Sequence, residues 1–374
     1  MAGIYIHIPF CKQKCHYCNF FSVASARLKD EFMIALLKEI EMRKDYLGDE
    51  TVNTIYFGGG TPSLLLISDL ALIIEHLSYH FTIDPYAEIT LEANPDDITE
   101  EKANDWNNSP VNRLSIGIQS FFDDDLQYLN RVHNAGQAIR AIDIMQKAGF
   151  KNLTIDLIYG IPTLTDEKWA KNLETFFSLD IPHLSAYALT VEQKTPLALL
   201  IEKGKYGPIN EDLSVRHFKI LLDHARAHDF IHYEISNFSK EGYYSKHNSL
   251  YWLGGLYLGL GPSAHSFNGV SRQWNVSNIS QYIKLDDFQN SVEEKEVLTI
   301  EQRYNEYVMT SLRTAWGCDT VHILNVFGEN YESHFIRNAA SFLSKRHLYR
   351  EGTKYFLTDE GKLFADGIAA DLFI

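Results

Sequence analysis

The chain has 374 residues, of which 45% are hydrophobic and 22% charged, a composition that excludes a disordered, fibrous or tail-like protein. Its formal net charge of -15 excludes nonspecific nucleic-acid binding, because polyanions repel it and the sequence has no basic patch. The sequence contains neither a signal peptide nor a run of about eighteen apolar residues, so we expect a cytoplasmic protein with no membrane-spanning segment and leave peripheral membrane contact open.

Short β-type runs alternate with amphipathic helical stretches over the first half of the chain. The predicted strands cover residues 4–10, 54–57, 88–93, 113–119, 152–159 and 183–189. The predicted helices cover residues 31–46, 67–80, 137–148 and 166–179. Repeated strand–helix units predict a parallel sheet covered by helices, and six units favour an open, partial (β/α)6 barrel over a closed eightfold one. The predicted fold class is therefore α/β.

The alternation fades after about residue 205, and the chain changes character again near residue 299. The final stretch LYREGTKYFLTDEGKLFAD is typical of a hairpin followed by a short helix, as in a winged-helix module. From Thr299 onward there are 8 Lys or Arg against 10 Asp or Glu, so DNA reading has no electrostatic support. We predict a partial barrel over residues 1–205, an associated extension over 206–298, and a C-terminal winged-helix-like α+β domain over 299–374.

Three of the four cysteines lie within eight positions, in the segment CKQKCHYC. Thiolates suit soft metals and iron–sulfur clusters. A cubane cluster ordinarily takes four cysteines, so Cys11, Cys15 and Cys18 would leave one iron open. The alternative is a zinc site completed by His16 or His7, because zinc also accepts three cysteines and one histidine. The C-x3-C-x2-C spacing favours the cluster, and four cysteines used in this way favour a reducing compartment over a disulfide framework.

Residues with evident chemistry lie at or just after the predicted strands. Gly58, Gly59 and Gly60 follow the strand TIYF, and glycines let a backbone approach a ligand closely. Three polar residues lie in later strand segments: Glu92 in LEANP, Gln119 in IGIQS and Asp156 in IDLIYG. The carboxyl ends of parallel barrel strands form one rim, so we expect these segments to converge there.

The segment CKQKCHYC resembles the CxxxCxxC signature of the radical S-adenosylmethionine superfamily. In that family the open iron chelates the amino and carboxylate groups of S-adenosylmethionine, and electron transfer from the cluster cleaves the sulfonium to a 5′-deoxyadenosyl radical. The resemblance implies a [4Fe-4S] cluster and S-adenosylmethionine as cofactors. The run Gly58 to Pro62 resembles the glycine-rich segment that binds the amino group, and Tyr17 fits the ring position before the third cysteine.

The segments LEANP, IGIQS, LNRVH and IDLIYGIP resemble the oxygen-independent coproporphyrinogen oxidase branch of that superfamily. Carboxylates suit the ribose and sulfonium of the cofactor, while Arg131 suits its carboxylate. The resemblance implies that S-adenosylmethionine is bound by Tyr5, Tyr17, Gly59, Gly60, Thr61, Glu92, Gln119, Arg131 and Asp156.

Two functions from different classes compete within this branch. One is the decarboxylating coproporphyrinogen III oxidase, an enzyme, and the other is the HemW-type haem chaperone, which binds haem and delivers it to acceptor proteins. Phe20 stands where the oxidases continue their motif with a fourth cysteine, and ten residues before Cys11 leave no room for the N-terminal extension of the oxidases. Both departures favour the chaperone, whose partners would be haem and haem-accepting proteins.

The segment HNSLYW matches the HNxxYW motif that marks the chaperone group and is associated there with haem binding. His247 would supply an axial imidazole, and Tyr251 and Trp252 would offer flat apolar faces to a porphyrin. The alternative of an ordinary loop histidine beside core aromatics stays open, as does the choice between monomer and homodimer. Cys318 is interpreted as a lone thiol, and His265 receives no role.

Overall fold

A parallel sheet forms the centre of the molecule. The structure is a computed structural model that describes residues 1–288 and 294–374. Six parallel strands follow one another in space as they do in the sequence. They are β1 (Ala2–Ile8), β2 (Val52–Gly59), β3 (Ile83–Ala93), β4 (Arg113–Gln119), β5 (Leu153–Tyr159) and β6 (His183–Ala188). This arrangement confirms the predicted α/β class with its open, partial barrel.

Helices lie between these strands, as the alternation predicts. They are α1 (Lys29–Met42), α2 (Ile67–His80), α3 (Glu100–Asn107), α4 (Asp123–Tyr128), α5 (Ala135–Lys147) and α6 (Asp166–Ser178). Side chains alternate across β1, so Ile4, Ile6 and Ile8 are fully buried in the large hydrophobic core. Tyr5 and His7, on the other face, point into the barrel, where polar and aromatic side chains collect.

Shorter elements extend the sheet on both sides. In chain order they are α7 (Pro196–Glu202), α8 (Glu211–Ala227), β7 (Ile231–Glu234), β8 (Asn237–Ser239), α9 (Lys246–Trp252), β9 (Leu256–Leu260), β10 (His265–Phe267), β11 (Ser271–Trp274), α10 (Ile279–Tyr282) and β12 (Glu294–Val297). Strand β9 pairs parallel with β1, whereas β8 pairs antiparallel with β6. Among the described residues, the full order is β12-β11-β10-β9-β1-β2-β3-β4-β5-β6-β8-β7.

The C-terminal part has its own three-stranded sheet and its own hydrophobic cluster. Its elements are α11 (Ile300–Leu312), β13 (Cys318–Asp319), α12 (Thr320–Phe327), α13 (Glu329–Ser344), β14 (Leu348–Glu351), β15 (Lys354–Leu357), α14 (Asp359–Lys362) and α15 (Ala365–Asp371). The order helix, strand, two helices and hairpin is that of a winged helix. Cys318 is buried in this cluster. The domain boundaries after residues 205 and 298 stay our proposal.

Within residues 1–288 and 294–374, no helix combines the length and the apolar character needed to cross a bilayer.

Candidate functional site

A cavity of about 430 Å³ opens at the carboxyl ends of the parallel strands. The convergence expected from the sequence occurs there, because each strand delivers its following loop to the same rim. The predicted site residues that line it are Cys11, Cys15, Tyr17, Cys18, Gly59, Gly60, Thr61, Glu92, Gln119, Arg131 and Asp156.

The cysteine loop is fixed to the end of β1 and receives hydrogen bonds at two of its sulfurs. The amide of Cys11 donates to the carbonyl of Val23 at 3.0 Å, which folds the loop back on itself. Thr61 Oγ1 donates to Cys11 Sγ at 3.5 Å, and Arg131 Nη1 donates to Cys15 Sγ at 3.3 Å. Burial raises the pKa of the Cys18 thiol to about 11. A metal or cluster would displace that proton, as metal binding to thiols generally does.

The donor set fits an iron–sulfur cluster better than the zinc alternative. The imidazoles of His7 and His16 donate to the backbone carbonyls of Phe21 and Tyr128, at 2.8 and 3.0 Å, and neither lines the cavity. In the described part of the chain, no three His, Cys, Asp or Glu side chains are close enough to hold a metal ion. A zinc ion needs its thiolates about 2.3 Å from a single point. The thiolates of a cubane bind separate irons, so they do not have to meet at one point.

The glycine segment after β2 brings its backbone against the end of β1. Gly59 has φ +107°, a conformation that a side chain would strain. A Cβ on Gly60 would lie 2.7 Å from the carbonyl oxygen of Phe10, and the Gly60 amide donates to the carbonyl of Ile8 at 2.8 Å. Glycine is therefore required at both positions, and the backbone itself forms this wall of the cavity.

Two partly buried carboxyl groups line the cavity without an ion-pair partner among the described residues. Tyr56 donates its hydroxyl to Glu92 Oε1 at 2.8 Å, and Ser115 Oγ donates to Asp156 Oδ1 at 3.2 Å. Burial raises the pKa of Glu92 to about 7 and that of Asp156 to about 6. No ion pair within 4.0 Å joins either carboxyl group to a described residue, although the charges of Arg113 and Arg131 favour the ionised form of Asp156. The ionised form of such a partly buried acid is stabilised when a cation binds beside it.

Arg131 is held by a residue that sequence reasoning missed. Its Nη2 donates to Asn94 Oδ1 at 2.7 Å and to the carbonyl of Gly117 at 2.8 Å. Asn94 Nδ2 in turn donates to Thr61 Oγ1 at 3.2 Å. Asn94 therefore connects Thr61, which donates to Cys11, with Arg131, which donates to Cys15. Its signal was its place in LEANP, two residues after the predicted acid Glu92.

Gln119 ends β4 in the left-handed region, with φ +69°. The pairing of β4 with β5 shifts register between Gly117 and Gln119, which turns the glutamine into the cavity wall. Non-glycine residues in this conformation concentrate at functional sites.

The mouth of the cavity carries apolar side chains. Phe20 is 61% exposed there, and the exposed side chains of Val132 and Tyr187 also belong to the cavity lining. Phe20 places a phenyl ring at the rim.

Tyr5 does not line the cavity. It lies deeper in the barrel, where its ring stacks on Tyr56 and His247 at centroid distances of 6.1 and 6.3 Å. Its contact with the cofactor stays a prediction.

The HNSLYW segment forms α9, which contacts the first residues of β1 and β2, away from the cavity. His247 is 1% exposed, and both of its ring nitrogens are occupied. Nδ1 bonds Thr54 Oγ1 at 2.8 Å, and Nε2 bonds the Tyr251 hydroxyl at 2.8 Å. Burial lowers the pKa of His247 to about 3, so the ring is neutral. Trp252 packs under the guanidinium of Arg313 at 5.9 Å. The structure thus separates His247, Tyr251 and Trp252 from the cavity, and their haem role stays a prediction.

Comparisons with known proteins agree with this architecture. A profile of the Radical SAM superfamily matches residues 5–176. The chain is 32% identical to the heme chaperone HemW of Bacillus subtilis, with 98% of each chain covered. It is also 32% identical to HemW of Mycobacterium tuberculosis, covering 99% of this chain and 94% of that one. The solved structure of Escherichia coli HemN, titled a coproporphyrinogen III oxidase and radical SAM enzyme, aligns with TM-score 0.86 at 21% identity. That alignment covers 100% of this chain and 90% of HemN, and it establishes the shared fold.

Proposed function

The chain belongs to the radical SAM superfamily and, within it, to the HemW family, and we propose that it is a haem chaperone. It holds a [4Fe-4S] cluster and S-adenosylmethionine in the cavity at the strand ends and delivers haem to acceptor proteins. The proposal has a cofactor part and a cargo part, which depend on different residues.

The cofactor part assigns the cluster to Cys11, Cys15 and Cys18. Thr61 and Arg131 donate to two of these sulfurs and would fix their positions, as groups around a metal site generally orient its ligands. When bound, the cluster and S-adenosylmethionine together supply one-electron chemistry at the sulfonium. Tyr17, on the same loop, lines the cavity beside the three cysteines.

S-adenosylmethionine would place its positive charge and ribose near Glu92 and Asp156. Both acids line the cavity without an ion-pair partner among the described residues, and desolvation raises the pKa of each, which supports this placement. The backbone of Gly59 and Gly60 would receive the amino group, since no side chain intervenes there.

The observation that carries the choice of a chaperone over an oxidase is Phe20. An exposed phenyl ring stands at the mouth of the cavity where the oxidase motif continues with a thiol. The HNxxYW segment adds support, and so do the full-length relatives that are named as heme chaperones. We place the protein in the cytoplasm, because a reducing compartment keeps the three cluster thiols from forming disulfides.

In the cargo part, His247 is the axial ligand of haem, with Tyr251 and Trp252 against the porphyrin. Both nitrogens of His247 are hydrogen-bonded within the fold, so binding through Nε2 must break the bond to Tyr251. Haem binding therefore requires α9 to move from its position under the barrel. This requirement distinguishes the site from a preformed haem pocket.

The test is haem titration of the anaerobically reconstituted full chain, followed by absorbance. We expect saturation at one haem per chain at micromolar concentration, and loss of the axial-ligand spectrum in His247→Ala. His265→Ala is the matched control, because this exposed imidazole stacks on Trp274 and should leave the spectrum unchanged. Absence of haem binding, or identical spectra for all three proteins, would reject the cargo assignment.

The second candidate is an oxygen-independent coproporphyrinogen III oxidase. The retained set of cavity residues, in which two acids and three thiols line one cavity, favours it. An anaerobic assay with S-adenosylmethionine, a reductant and coproporphyrinogen III decides the matter. We expect no protoporphyrinogen IX, and its accumulation would replace the chaperone proposal with the oxidase.

A further inference from the structure

The HNxxYW segment and the cofactor cavity meet at one layer of aromatic rings inside the barrel. The layer consists of Tyr5, Tyr56 and His247, and we name it the aromatic floor. The rings of Tyr56 and His247 stack with a centroid distance of 5.0 Å and an interplanar angle of 26°. Tyr5 stacks on both of the others. The cavity lies on one side of this layer and α9 on the other.

The aromatic floor is packed so tightly that two positions beside it have room only for glycine. A Cβ on Gly3 would lie 2.6 Å from Leu250 Cδ2 and from Thr54 Oγ1. A Cβ on Gly58 would lie 2.9 Å from the rings of both Tyr5 and Tyr56. In so dense a region, removing one ring leaves its neighbours without support, and they must shift.

Tyr56 belongs to the aromatic floor through its ring, and its hydroxyl bonds Glu92, which lines the cavity. The hydroxyl donates to Glu92 Oε1 at 2.8 Å, and the backbone amide of Gly59 also supports this carboxyl group. The other titratable groups that face Glu92 are Tyr5, Asp156 and Tyr187. The Tyr56 hydroxyl is therefore the link between the ring stack and an acid of the cofactor site.

The backbone at the start of α9 is fixed to the barrel as well. The amides of Lys246 and His247 donate to the carboxylate of Glu88 on β3, at 3.1 and 3.0 Å. His247 cannot leave the aromatic floor while these two bonds and its two ring bonds persist. Its departure is a discrete change of the segment rather than a small side-chain adjustment.

We infer that Tyr56 is a positioning residue for the cofactor cavity, and that through it haem and S-adenosylmethionine binding oppose each other. When His247 leaves the aromatic floor to bind haem, the ring of Tyr56 loses its support and Glu92 loses its fixed orientation. Bound S-adenosylmethionine, by holding Glu92 and Tyr56 in place, keeps His247 in the floor. Linkage requires both effects to have the same size. The inference rests on the proposed function, because it takes His247 as the haem ligand.

The experiment measures the affinity of the reconstituted full chain for S-adenosylmethionine, with and without saturating haem, by anaerobic equilibrium dialysis. We expect haem to weaken the affinity at least about fivefold, the lower range of known coupling between sites. The haem dissociation constant, measured with and without saturating S-adenosylmethionine, should change by the same factor.

Tyr56→Phe tests the positioning role without disturbing the ring stack. The lost hydroxyl no longer favours the ionised form of Glu92, so the pKa of that acid rises further. We expect weaker cofactor binding and a pH dependence of affinity whose midpoint moves upward. Tyr86→Phe is the control, because this hydroxyl is on the same sheet but 84% exposed, and it should change neither quantity.

The outcomes separate this inference from the proposed function. If haem binds through His247 but cofactor affinity is unchanged, the coupling is overturned and the chaperone proposal stands. If haem does not bind at all, both are overturned. If Tyr56→Phe leaves the affinity and its pH midpoint at wild-type values, the positioning role of Tyr56 is overturned.

Discussion

The polar groups at the two ends of the barrel differ in whether they find their partners within the chain. At the carboxyl ends of the strands, Glu92 and Asp156 line a cavity without an ion-pair partner among the described residues, and three thiols face the same cavity. In the aromatic floor, His247 has a hydrogen bond at each ring nitrogen, and its backbone amide donates to Glu88.

The difference indicates which end is prepared for a ligand. The acids and thiols that line the cavity gain their charged partners only when a cation and a soft metal centre bind. We therefore expect these residues to contribute more to ligand affinity than to the stability of the fold. The polar groups of His247 in the aromatic floor are already hydrogen-bonded within the chain, so they contribute to the stability of the fold. Substitutions at the two ends should therefore separate into losses of binding and losses of stability.

The largest expected effect is at the thiols. Cys15→Ser should abolish the iron–sulfur absorbance after anaerobic reconstitution, because two thiolates cannot retain the cluster. Cys318→Ala should keep it, since that thiol is buried in the C-terminal hydrophobic cluster. Equal iron and sulfide content in the two variants would show that the cysteine loop does not hold the cluster.

Asp156→Asn should weaken S-adenosylmethionine binding about thirtyfold or more, the cost of removing one member of a buried charge pair. The pKa of Asp156 is raised in the fold, so the folded state binds its proton more tightly than the unfolded chain. Its contribution to the free energy of unfolding is therefore lost as pH rises from about 4 to about 6. Asparagine does not titrate, so Asp156→Asn does not lose this contribution. The free energy of unfolding of the variant, relative to that of wild type, should therefore increase from about pH 4 to about pH 6.

Calorimetric titration and urea unfolding at several pH values check both parts. A variant that binds the cofactor normally, or whose relative stability falls as pH rises, would contradict the assignment of Asp156 to the cavity side of the comparison.

Gly3→Ala should lower the stability of the fold and leave cofactor binding unchanged. The new Cβ would meet Leu250 and Thr54 at 2.6 Å, so overpacking should lower the free energy of unfolding by about 1 to 3 kcal/mol. Gly207→Ala is the matched control, because no atom lies within 4 Å of its Cβ position. Urea denaturation measures both, and an undisturbed Gly3→Ala protein would mean that the region around α9 is loosely packed.

The smallest expected effect concerns Arg131. Arg131→Lys keeps the positive charge but cannot reproduce the bonds to Cys15, Asn94 and Gly117 together. Hydrogen bonds to cluster sulfurs stabilise the more negative reduced state, so the midpoint potential should fall. Redox titration followed by absorbance measures it, and an unchanged potential would place Arg131 outside the surroundings of the cluster.

The rim of the barrel was predictable from sequence because its order is local. Strand β4 and helix α2 have the predicted bounds, and the residues after each strand converge because parallel strands end at one edge. Gly60 follows β2 and Glu92 lies near the end of β3, so this rule covers them. Asp156 lies in the middle of β5 and also lines the cavity.

The floor was not predictable, because it depends on contacts between distant parts of the chain. Nothing near His247 in the sequence indicates that Thr54 and Glu88 would bond it. The extra strand β9 beside β1 was missed for the same reason, and so was the depth of Tyr5 below the cavity.

The central claim is that three cysteines leave one iron open toward the cavity that binds S-adenosylmethionine. The most direct measurement is the electron paramagnetic resonance spectrum of the reduced, reconstituted protein before and after S-adenosylmethionine is added. We predict a [4Fe-4S] signal that changes on addition and stays unchanged in Asp156→Asn at the same concentration. A colourless protein containing zinc, or a cluster signal that ignores the cofactor, would contradict the account.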